Sequence, residues 1–394
     1  MKSADERVPK TLFADTLASR GPARAAARAH HTRPRSDDAM HPENSIDPPL
    51  NVASPGKRLK VLFCGKEFPQ GARCTQAAIE ALRESSAEGA DLIDVVSCDR
   101  SEVAEQIKDA HVAVPLMTRL DDAMLSHAKE LRMVIQFGVG IEGVDEQACT
   151  SRKILLCFIP SEHTGNADST AEMAVFHLLA AFRRVNQMAD SIQTATLGDP
   201  WGRSISGSKV LVVGLGNVGG KVARLLKAFG CKLHTVWRGG GVPDPDHPAA
   251  LAEPSGNYAS VDAALENNPG FDAVVLACNQ TAENVGMVDR RFIERVGNRC
   301  PVVNVARGGL FDRDAVLWGL ETGTLCYLAS DVAWSEPLDP NDPVAKHPNA
   351  YFTPHVGGVT ESSYTRMGRV VAEAAMKAMV GGRFGDDVYQ KNGW

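Results

Sequence analysis

The stretch KVLVVGLGNVGGKVARLLKAFG, residues 209–230, decides the fold of this chain of 394 residues. An apolar, β-branched run at 209–213 predicts a buried strand, and the amphipathic pattern that follows predicts a helix. Between them stand the glycines of a G-x-G-x-x-G pattern, Gly214, Gly216 and Gly219. Glycine at these places permits a tight turn, close approach of a pyrophosphate, and close packing of helix on strand. The segment therefore predicts a dinucleotide-binding site, with Asn217 and Val218 where the helix begins.

Strand-like runs alternate with helical patterns on both sides of this stretch. Before it, the runs are LKVLFCG (59–65), DLIDVVSC (91–98), HVAVPL (111–116) and RMVIQFG (132–138). Alternation of this kind predicts parallel strands joined by right-handed crossovers. The length suits two lobes. We therefore expect an α/β protein of two doubly wound parallel-sheet domains.

Composition excludes several classes of partner. The net charge is −6, and the basic residues of the globular part are scattered, so a nucleic-acid-binding face is not expected. The nine cysteines include no C-x-x-C pair, which argues against a disulfide framework or a metal site. No apolar run reaches the roughly 18 residues that a membrane span needs. The expected partner is a small molecule.

Residues 1–58 differ from the rest of the chain. Between Thr16 and Ser36 there are five arginines and no acidic residue, and a loop-like, proline-containing segment follows. This pattern is typical of a disordered leader, and a transit peptide is one interpretation of it. An uncleaved disordered tail or a misassigned start are the others. The expected location is the cytoplasm, or a chloroplast or mitochondrion if the leader is a transit peptide.

The end of the strand after the glycine pattern bears on the cofactor. NAD enzymes place an acidic residue about 20 positions after the glycines, where it binds the ribose hydroxyls. Here that place holds Trp237, followed by Arg238. An arginine at this point can pair with the 2′-phosphate of NADP, or it can be a solvated loop residue. NAD and NADP both stay open, and Arg238 favours NADP slightly.

Four motifs, in order, carry a resemblance to a known family. They are GLGNVGG (214–220), VNVARGGLFDRDAV (303–316), SDVAWSEPLDP (330–340) and TPHVGGVTESS (353–363). From about Leu59 onward the chain resembles the D-isomer-specific 2-hydroxyacid dehydrogenases, which include phosphoglycerate dehydrogenase and the glyoxylate and hydroxypyruvate reductases. VLFCGKEFP (61–69) and IPSEHTGNADSTAEMA (159–174) look closest to a plant and algal, phosphoglycerate dehydrogenase-like branch.

The resemblance implies hydride transfer between NAD(P)H and a small 2-oxo acid or D-2-hydroxy acid. It places Arg307 on the substrate carboxylate, which a planar guanidinium can bind through two parallel hydrogen bonds. It makes His355 the general acid/base, with Glu336 bonded to the other ring nitrogen to fix the tautomer. Alone, Arg307 could equally cap a strand end, and His355 could be a plain loop histidine.

Further site residues follow from the same resemblance. Asp331, at the end of CYLASD, is expected to hold the nicotinamide carboxamide. Backbone N–H groups in QFGVGIEGVD are expected to meet the substrate carboxylate from the other domain, at Gly138, Val139 and Gly140. The substrate itself stays open among glyoxylate, hydroxypyruvate and a 3-phosphoglycerate-type acid.

The resemblance also implies a domain plan. A flavodoxin-like substrate domain is expected at 59–168 and 349–394, with the strand and helix after Asn349 returning to the first lobe. A Rossmann cofactor domain is expected at 169–348, between these two segments. The family is generally dimeric through the cofactor domain, so a homodimer is expected. The alternative to an enzyme is a nucleotide-sensing, corepressor-like scaffold with little turnover.

Overall fold

The computed structural model describes residues 58–239, 243, 245–267, 270–380 and 387–392. The predicted leader lies outside the described residues, apart from Arg58. The chain forms two compact units. The first unit comprises Met1–Pro160 and Thr365–Trp394, and the second comprises Ser161–Tyr364. The predicted boundaries stood after residues 168 and 348.

Strands and helices alternate along the described chain. The strands are β1 (Leu59–Phe63), β2 (Ile93–Ser97), β3 (Val112–Val114), β4 (Met133–Gln136), β5 (Leu155–Phe158), β6 (Lys209–Val213), β7 (Lys232–Val236), β8 (Asn257–Tyr258), β9 (Ala273–Leu276), β10 (Val302–Asn304), β11 (Leu328–Ser330), β12 (Ala350–Phe352) and β13 (Tyr389–Gln390). The helices are α1 (Pro69–Glu84), α2 (Val103–Gln106), α3 (Asp122–Leu125), α4 (Glu146–Ser151), α5 (Asn166–Arg183), α6 (Val185–Gln193), α7 (Asn217–Ala228), α8 (Val261–Asn267), α9 (Arg290–Val296), α10 (Arg313–Thr322) and α11 (Glu361–Val380).

The first unit contains a six-stranded sheet in the order β13-β5-β4-β3-β1-β2. Its neighbouring strands run parallel, except that β13 pairs antiparallel with β5. Without β13 the order is 2-1-3-4-5, which is the flavodoxin-like arrangement. Its central strands β3 and β4 are buried along their whole length because a parallel sheet is covered on both faces.

The second unit contains a seven-stranded parallel sheet in the order β12-β11-β10-β9-β6-β7-β8. The order reverses between β6 and β9, and ligands of doubly wound sheets bind beside such a switch point, at the carboxyl ends of the strands. One apolar cluster covers each face of this sheet. The predicted fold class, two doubly wound α/β domains, is confirmed.

The structure corrects the prediction for the strand after Asn349. We expected this strand to return to the first lobe, and that expectation is wrong. β12 pairs in parallel with β11, with Ala350 opposite Leu328 and Phe352 opposite Ser330. The edge of β11 offers unpaired backbone groups that β12 satisfies. Only from Thr365, within α11, does the chain group with the first unit.

Helix α5 is the long helix that opens the second unit. It contains the most apolar stretch of the sequence, AEMAVFHLLAAF, and its small residues bury against the sheet. It also carries polar side chains on the face that meets the chain after β12. None of the helices in the described part of the chain is both long and apolar enough to cross a membrane.

Candidate active site

The glycine loop between β6 and α7 has the shape that a pyrophosphate needs. Gly214 has φ +93°, and a Cβ there would lie 2.6 Å from the Cα of Cys278. A Cβ on Gly219 would lie 1.9 Å from the carbonyl oxygen of Gly214, so helix and turn touch directly. A Cβ on Gly216 would meet nothing within 4 Å. The N-cap residue of α7, Gly216, provides no side-chain cap, and the first N–H groups of a helix have no partner within it, so the loop fits a bound dinucleotide.

Two neighbours of the loop were also expected to contact the dinucleotide. Asn217, the first residue of α7, donates a hydrogen bond from its side chain to the hydroxyl of Ser161 at 3.2 Å. Val218 packs partly buried against the apolar cluster under the helix. Asn217 therefore ties the beginning of α7 to the beginning of the second unit.

The end of β7 carries an aromatic residue and an arginine instead of a carboxylate. The Trp237 ring lies against the His247 ring, with 4.4 Å between ring centroids. Arg238 lies near Glu283, whose pKa is lowered by the Thr281 hydroxyl, by its own backbone N–H and by the charge of Arg238. The contact with His247, which lies ten residues after Trp237, was not predicted from the sequence.

A buried asparagine shapes the loop that carries Arg307. Asn304 ends β10, and its side-chain oxygen accepts a hydrogen bond from the N–H of Ala306 at 2.9 Å. Its amide group donates to the carbonyl oxygen of Arg307, also at 2.9 Å. The guanidinium of Arg307 donates from Nη1 to the carbonyl oxygen of Ala306 at 2.8 Å. The Asn304 side chain thus fixes the backbone at Ala306 and Arg307.

Gly308 lets this loop touch the segment that carries Glu336. A Cβ on Gly308 would lie 1.9 Å from the carbonyl oxygen of Ala333 and 2.6 Å from the backbone nitrogen of Trp334. Both are backbone atoms, which cannot move aside as the end of a flexible side chain can. The close approach of the two segments therefore requires glycine at this position.

We expect Gly308→Ala to lower the free energy of unfolding by about 3 kcal/mol, because overpacking against backbone forces both segments apart. The change is measured by denaturant unfolding. Gly143→Ala is the matched control, because a Cβ at Gly143 would make only an ordinary contact of 3.8 Å with Thr118. Equal stability of the two variants would contradict the packing argument.

Glu336 and His355 form a hydrogen-bonded pair. Oε2 of Glu336 lies 2.7 Å from Nδ1 of His355, and Oε1 accepts the N–H of Ala333 at 3.0 Å. Burial raises the pKa of Glu336, but the hydrogen bond and charge of His355, the Ala333 N–H and the charge of Arg307 together bring it below its ordinary value of 4.5. The structure thus brings Arg307, Glu336 and His355 together in one unit.

Asp331 holds the loop on which His355 lies. Its Oδ1 accepts hydrogen bonds from the hydroxyl of Thr353 at 2.6 Å and from the N–H of Val356 at 2.8 Å, and its Oδ2 accepts the N–H of Gly357 at 2.7 Å. Burial raises the pKa of Asp331 despite these bonds. Since a carboxylate accepts about four hydrogen bonds, one site remains for the predicted carboxamide contact. The loop-holding contacts were not predicted from the sequence.

His355 itself has φ 56°, in the left-handed region that a residue other than glycine seldom occupies. Such a conformation costs about 1–3 kcal/mol and persists only where the surroundings fix it. Here Asp331 fixes Val356 and Gly357, the two residues after His355. The His355 N–H donates to the carbonyl oxygen of Thr353 at 2.9 Å. The imidazole is therefore held from its backbone and from its Nδ1.

The pKa of Glu336 gives a prediction for acid stability. A carboxyl whose pKa is lower in the folded protein stabilises the fold above its unfolded pKa, and the contribution is lost as pH falls through the folded pKa. We therefore expect the stability advantage of the wild type over Glu336→Gln to shrink between about pH 5 and pH 3. Urea unfolding at both pH values measures it, with Glu294→Gln, on the exposed side of α9, as control. An advantage that is equal at both pH values would contradict it.

The remaining predicted residues belong to the first unit. Gly138, Val139 and Gly140 come one residue after the end of β4, at the carboxyl edge of that sheet. Gly138 has φ +119°, and a Cβ on it would meet nothing within 4 Å. Val139 is exposed although it is apolar. Their contact with a substrate carboxylate stays a prediction.

Comparisons with known proteins find relatives for most of the chain. Residues 175–357 match the model of the "D-isomer specific 2-hydroxyacid dehydrogenase, NAD binding domain". A D-3-phosphoglycerate dehydrogenase of Archaeoglobus fulgidus is 28% identical over 308 residues, which cover 76% of this chain and 54% of that protein. A glyoxylate reductase of Korarchaeum cryptofilum is 28% identical over 278 residues, covering 69% of this chain and 80% of that protein. The chain thus spans about half the length of the first relative.

A solved structure shares the fold. It is an NADPH-dependent glyoxylate/hydroxypyruvate reductase from Sinorhizobium meliloti in complex with NADP and malonate. The TM-score is 0.66 at 22% sequence identity, and the match covers 82% of this chain and 94% of that one.

Proposed function

Because the chain belongs to the D-isomer-specific 2-hydroxyacid dehydrogenase family, we propose that it catalyses reversible hydride transfer between NAD(P)H and C2 of a small 2-oxo acid. The observation that carries the proposal is the 2.7 Å contact between Nδ1 of His355 and Oε2 of Glu336. It lies in the same unit as Arg307 and the glycine loop. The relatives' names, phosphoglycerate dehydrogenase and glyoxylate reductase, support the same chemistry.

The glycine loop and the first N–H groups of α7 would hold the pyrophosphate, with Asp331 near the nicotinamide. When bound, the nicotinamide supplies the hydride in reduction and accepts it in oxidation. Arg307 binds the substrate carboxylate through its planar guanidinium and so orients the C2 carbon. The N–H groups of Gly138, Val139 and Gly140 are proposed to bind a substrate carboxylate.

His355 moves the proton that accompanies the hydride. Because Nδ1 is bonded to the carboxylate of Glu336, Nδ1 carries a hydrogen, and Nε2 is the nitrogen that exchanges a proton with the C2 oxygen. In reduction Nε2–H protonates the oxygen, and in oxidation Nε2 accepts the hydroxyl proton. Glu336 stabilises the imidazolium that oxidation leaves behind.

Initial rates test the proposed function. The purified protein is assayed for oxidation of NADPH and NADH with glyoxylate, hydroxypyruvate, pyruvate and 3-phosphohydroxypyruvate. We expect turnover of at least one acid. No turnover of any of them, while a dinucleotide still binds tightly, would contradict the proposal and favour a nucleotide-sensing scaffold.

We propose NADP over NAD as the preferred cofactor. The support is Arg238, which stands after β7 where NAD enzymes have a carboxylate. A guanidinium there can pair with the 2′-phosphate that only NADP carries. We expect Arg238→Ala to raise the KM for NADPH about tenfold and to leave the KM for NADH unchanged, since one charged hydrogen bond contributes about 1.5 kcal/mol or more. Equal effects on both would contradict this role.

We also propose a homodimer formed through the second unit. Three large apolar side chains of the segment 185–201 are strongly exposed in the single chain, Ile192 (81%), Leu197 (100%) and Trp201 (88%). Exposed apolar side chains grouped in this way are typical of a protein interface. Sedimentation velocity is expected to give twice the chain mass of 42.2 kDa. A monomer at micromolar concentration would contradict the proposal.

A further inference from the structure

One face of helix α5 contacts the segment that carries His355. Four of its residues, spaced three or four apart and so on one side of the helix, point to residues 353–363: Asn166, Ser169, Met173 and His177. The first two contact residues 358–363, and the last two contact Thr353. Asn166 donates to the Gly358 carbonyl oxygen and the Ser363 hydroxyl, and Ser169 bonds Thr360 at 2.8 Å. The contact from His177 to Thr353 has no role in the proposed function as described so far.

His177 is fully buried and touches the His355 segment at one atom. Its Nε2 lies 2.9 Å from the hydroxyl oxygen of Thr353. That hydroxyl has one hydrogen, which it donates to Oδ1 of Asp331 at 2.6 Å. The Thr353 oxygen must therefore accept from His177, which assigns the hydrogen of the imidazole to Nε2.

The other nitrogen of His177 agrees with this assignment. Nδ1 is buried and has no hydrogen-bond partner among the described residues, so a hydrogen on it would be an unsatisfied buried donor. Burial also lowers the pKa of His177 to about 4. Near neutral pH the side chain is an uncharged, fixed donor.

We propose that His177 is a positioning residue for the acid/base His355. Its Nε2–H orients the Thr353 hydroxyl onto Asp331, and Asp331 in turn holds the N–H groups of Val356 and Gly357. Thr353 precedes the strained left-handed backbone at His355, and Val356 and Gly357 follow it, so Asp331 holds the chain on both sides of that residue. The inference rests on the proposed function, because His355 must do chemistry for its position to matter.

The expected effect comes from geometry. A displacement of about 1 Å in a reacting group can cost about 100-fold in rate. Without the donor from His177, the Thr353 hydroxyl loses a partner and is able to rotate away from Asp331. The left-handed turn at His355 then loses one of the contacts that fix it. The glycine loop, where the pyrophosphate is proposed to bind, lies outside this chain of bonds, and the only shared dinucleotide contact is the carboxamide contact proposed for Asp331.

Two replacements of His177 separate positioning from packing. His177→Leu keeps an apolar volume and removes the donor, whereas the amide nitrogen of His177→Gln can reach the place of Nε2. We expect His177→Leu to lower kcat by about 10- to 100-fold, with the Kd for NADPH unchanged within about twofold. We expect His177→Gln to recover kcat to within about threefold of the wild type.

The matched control is His234→Leu. His234 is another buried histidine of the second unit, on β7, where its ring stacks on Tyr258. Its loss is expected to lower the melting temperature without lowering kcat. If His177→Leu also lowers only the melting temperature, or if His177→Gln fails to recover kcat while folding normally, the positioning role is overturned.

Hydrogen exchange distinguishes failure of this inference from failure of the proposed function. If the wild type turns over no 2-oxo acid, the proposed function fails, but the bond chain can still be measured. We expect the peptide spanning residues 353–360 to exchange faster in His177→Leu than in wild type, and His177→Gln to restore its protection. Unchanged exchange in that peptide would overturn the inference whatever the activity.

Discussion

Replacing His355 by alanine is expected to lower kcat by about 1,000-fold, since a positioned general acid/base contributes between about 100- and 10,000-fold. The hydride can still be delivered without it, but the C2 oxygen must then exchange its proton with water. The dinucleotide is proposed to bind at the glycine loop, whereas the described contacts of His355 are with Glu336 and Thr353, so the Kd for NADPH is expected to stay unchanged. Steady-state rates and fluorescence titration of NADPH measure the two quantities.

The control for this prediction is His127→Ala, which removes an exposed histidine just beyond α3. It is expected to leave kcat unchanged. Circular dichroism and the melting temperature establish that His355→Ala is folded. Near-normal turnover by folded His355→Ala would refute the acid/base role.

Replacing Arg307 by lysine is expected to lower kcat/KM by at least about 100-fold although the charge is kept. Lysine is a point charge and cannot form the two parallel bonds of a guanidinium to a carboxylate. Lysine also lacks the Nη1 bond to Ala306 and places its charge differently near Glu336, so kcat and KM are both expected to change. The measurement is a full substrate titration at saturating NADPH.

Arg291→Lys serves as the control, because Arg291 is an exposed arginine of α9 that pairs with Asp262 only at 3.6 Å. Its kcat/KM is expected to equal that of the wild type. A folded Arg307→Lys variant with kcat/KM within about threefold of the wild type would rule out bidentate carboxylate binding at this position.

The fold could be predicted largely from local pattern. Buried strands such as β6 read as continuous apolar runs, and the glycine spacing after it determines a βα turn that Gly219 can make and a larger residue cannot. The placement of β12 could not be predicted. Three residues, Ala350–Phe352, can extend either parallel sheet, and only their pairing with β11 decides between them. Short strands at sheet edges carry little information in their own sequence.

The charged residues of the candidate site could be predicted from the sequence, but the residues that position them could not. Arg307, Glu336 and His355 stand in motifs that the sequence presents in order. Asn304 and Thr353 are small polar residues at strand ends, and such residues are common there for many reasons. His177 lies in the most apolar stretch of the chain, where a histidine offers no signal until its neighbour across the fold is known.

For Asp331, too, the sequence predicted a ligand-binding residue but not the hydrogen bonds that the residue makes. Its place at the end of β11 pointed to a ligand at the carboxyl edge of the sheet. The structure adds that three hydrogen bonds from Thr353, Val356 and Gly357 already occupy most of the carboxylate. These contacts join residues that are far apart in the sequence. They depend on the pairing of β12 with β11, which sequence spacing does not encode.

The central claim is that a hydride passes from the nicotinamide to C2 of a 2-oxo acid, and isotope transfer tests it most directly. The protein is incubated with NADPH carrying deuterium on the transferring face of C4, together with hydroxypyruvate or another acid of the panel that yields a chiral product. We expect one deuterium at C2 of the product and the D configuration, measured by mass spectrometry and chiral chromatography. A product of L configuration, or NADPH consumed without deuterium at C2, would contradict it.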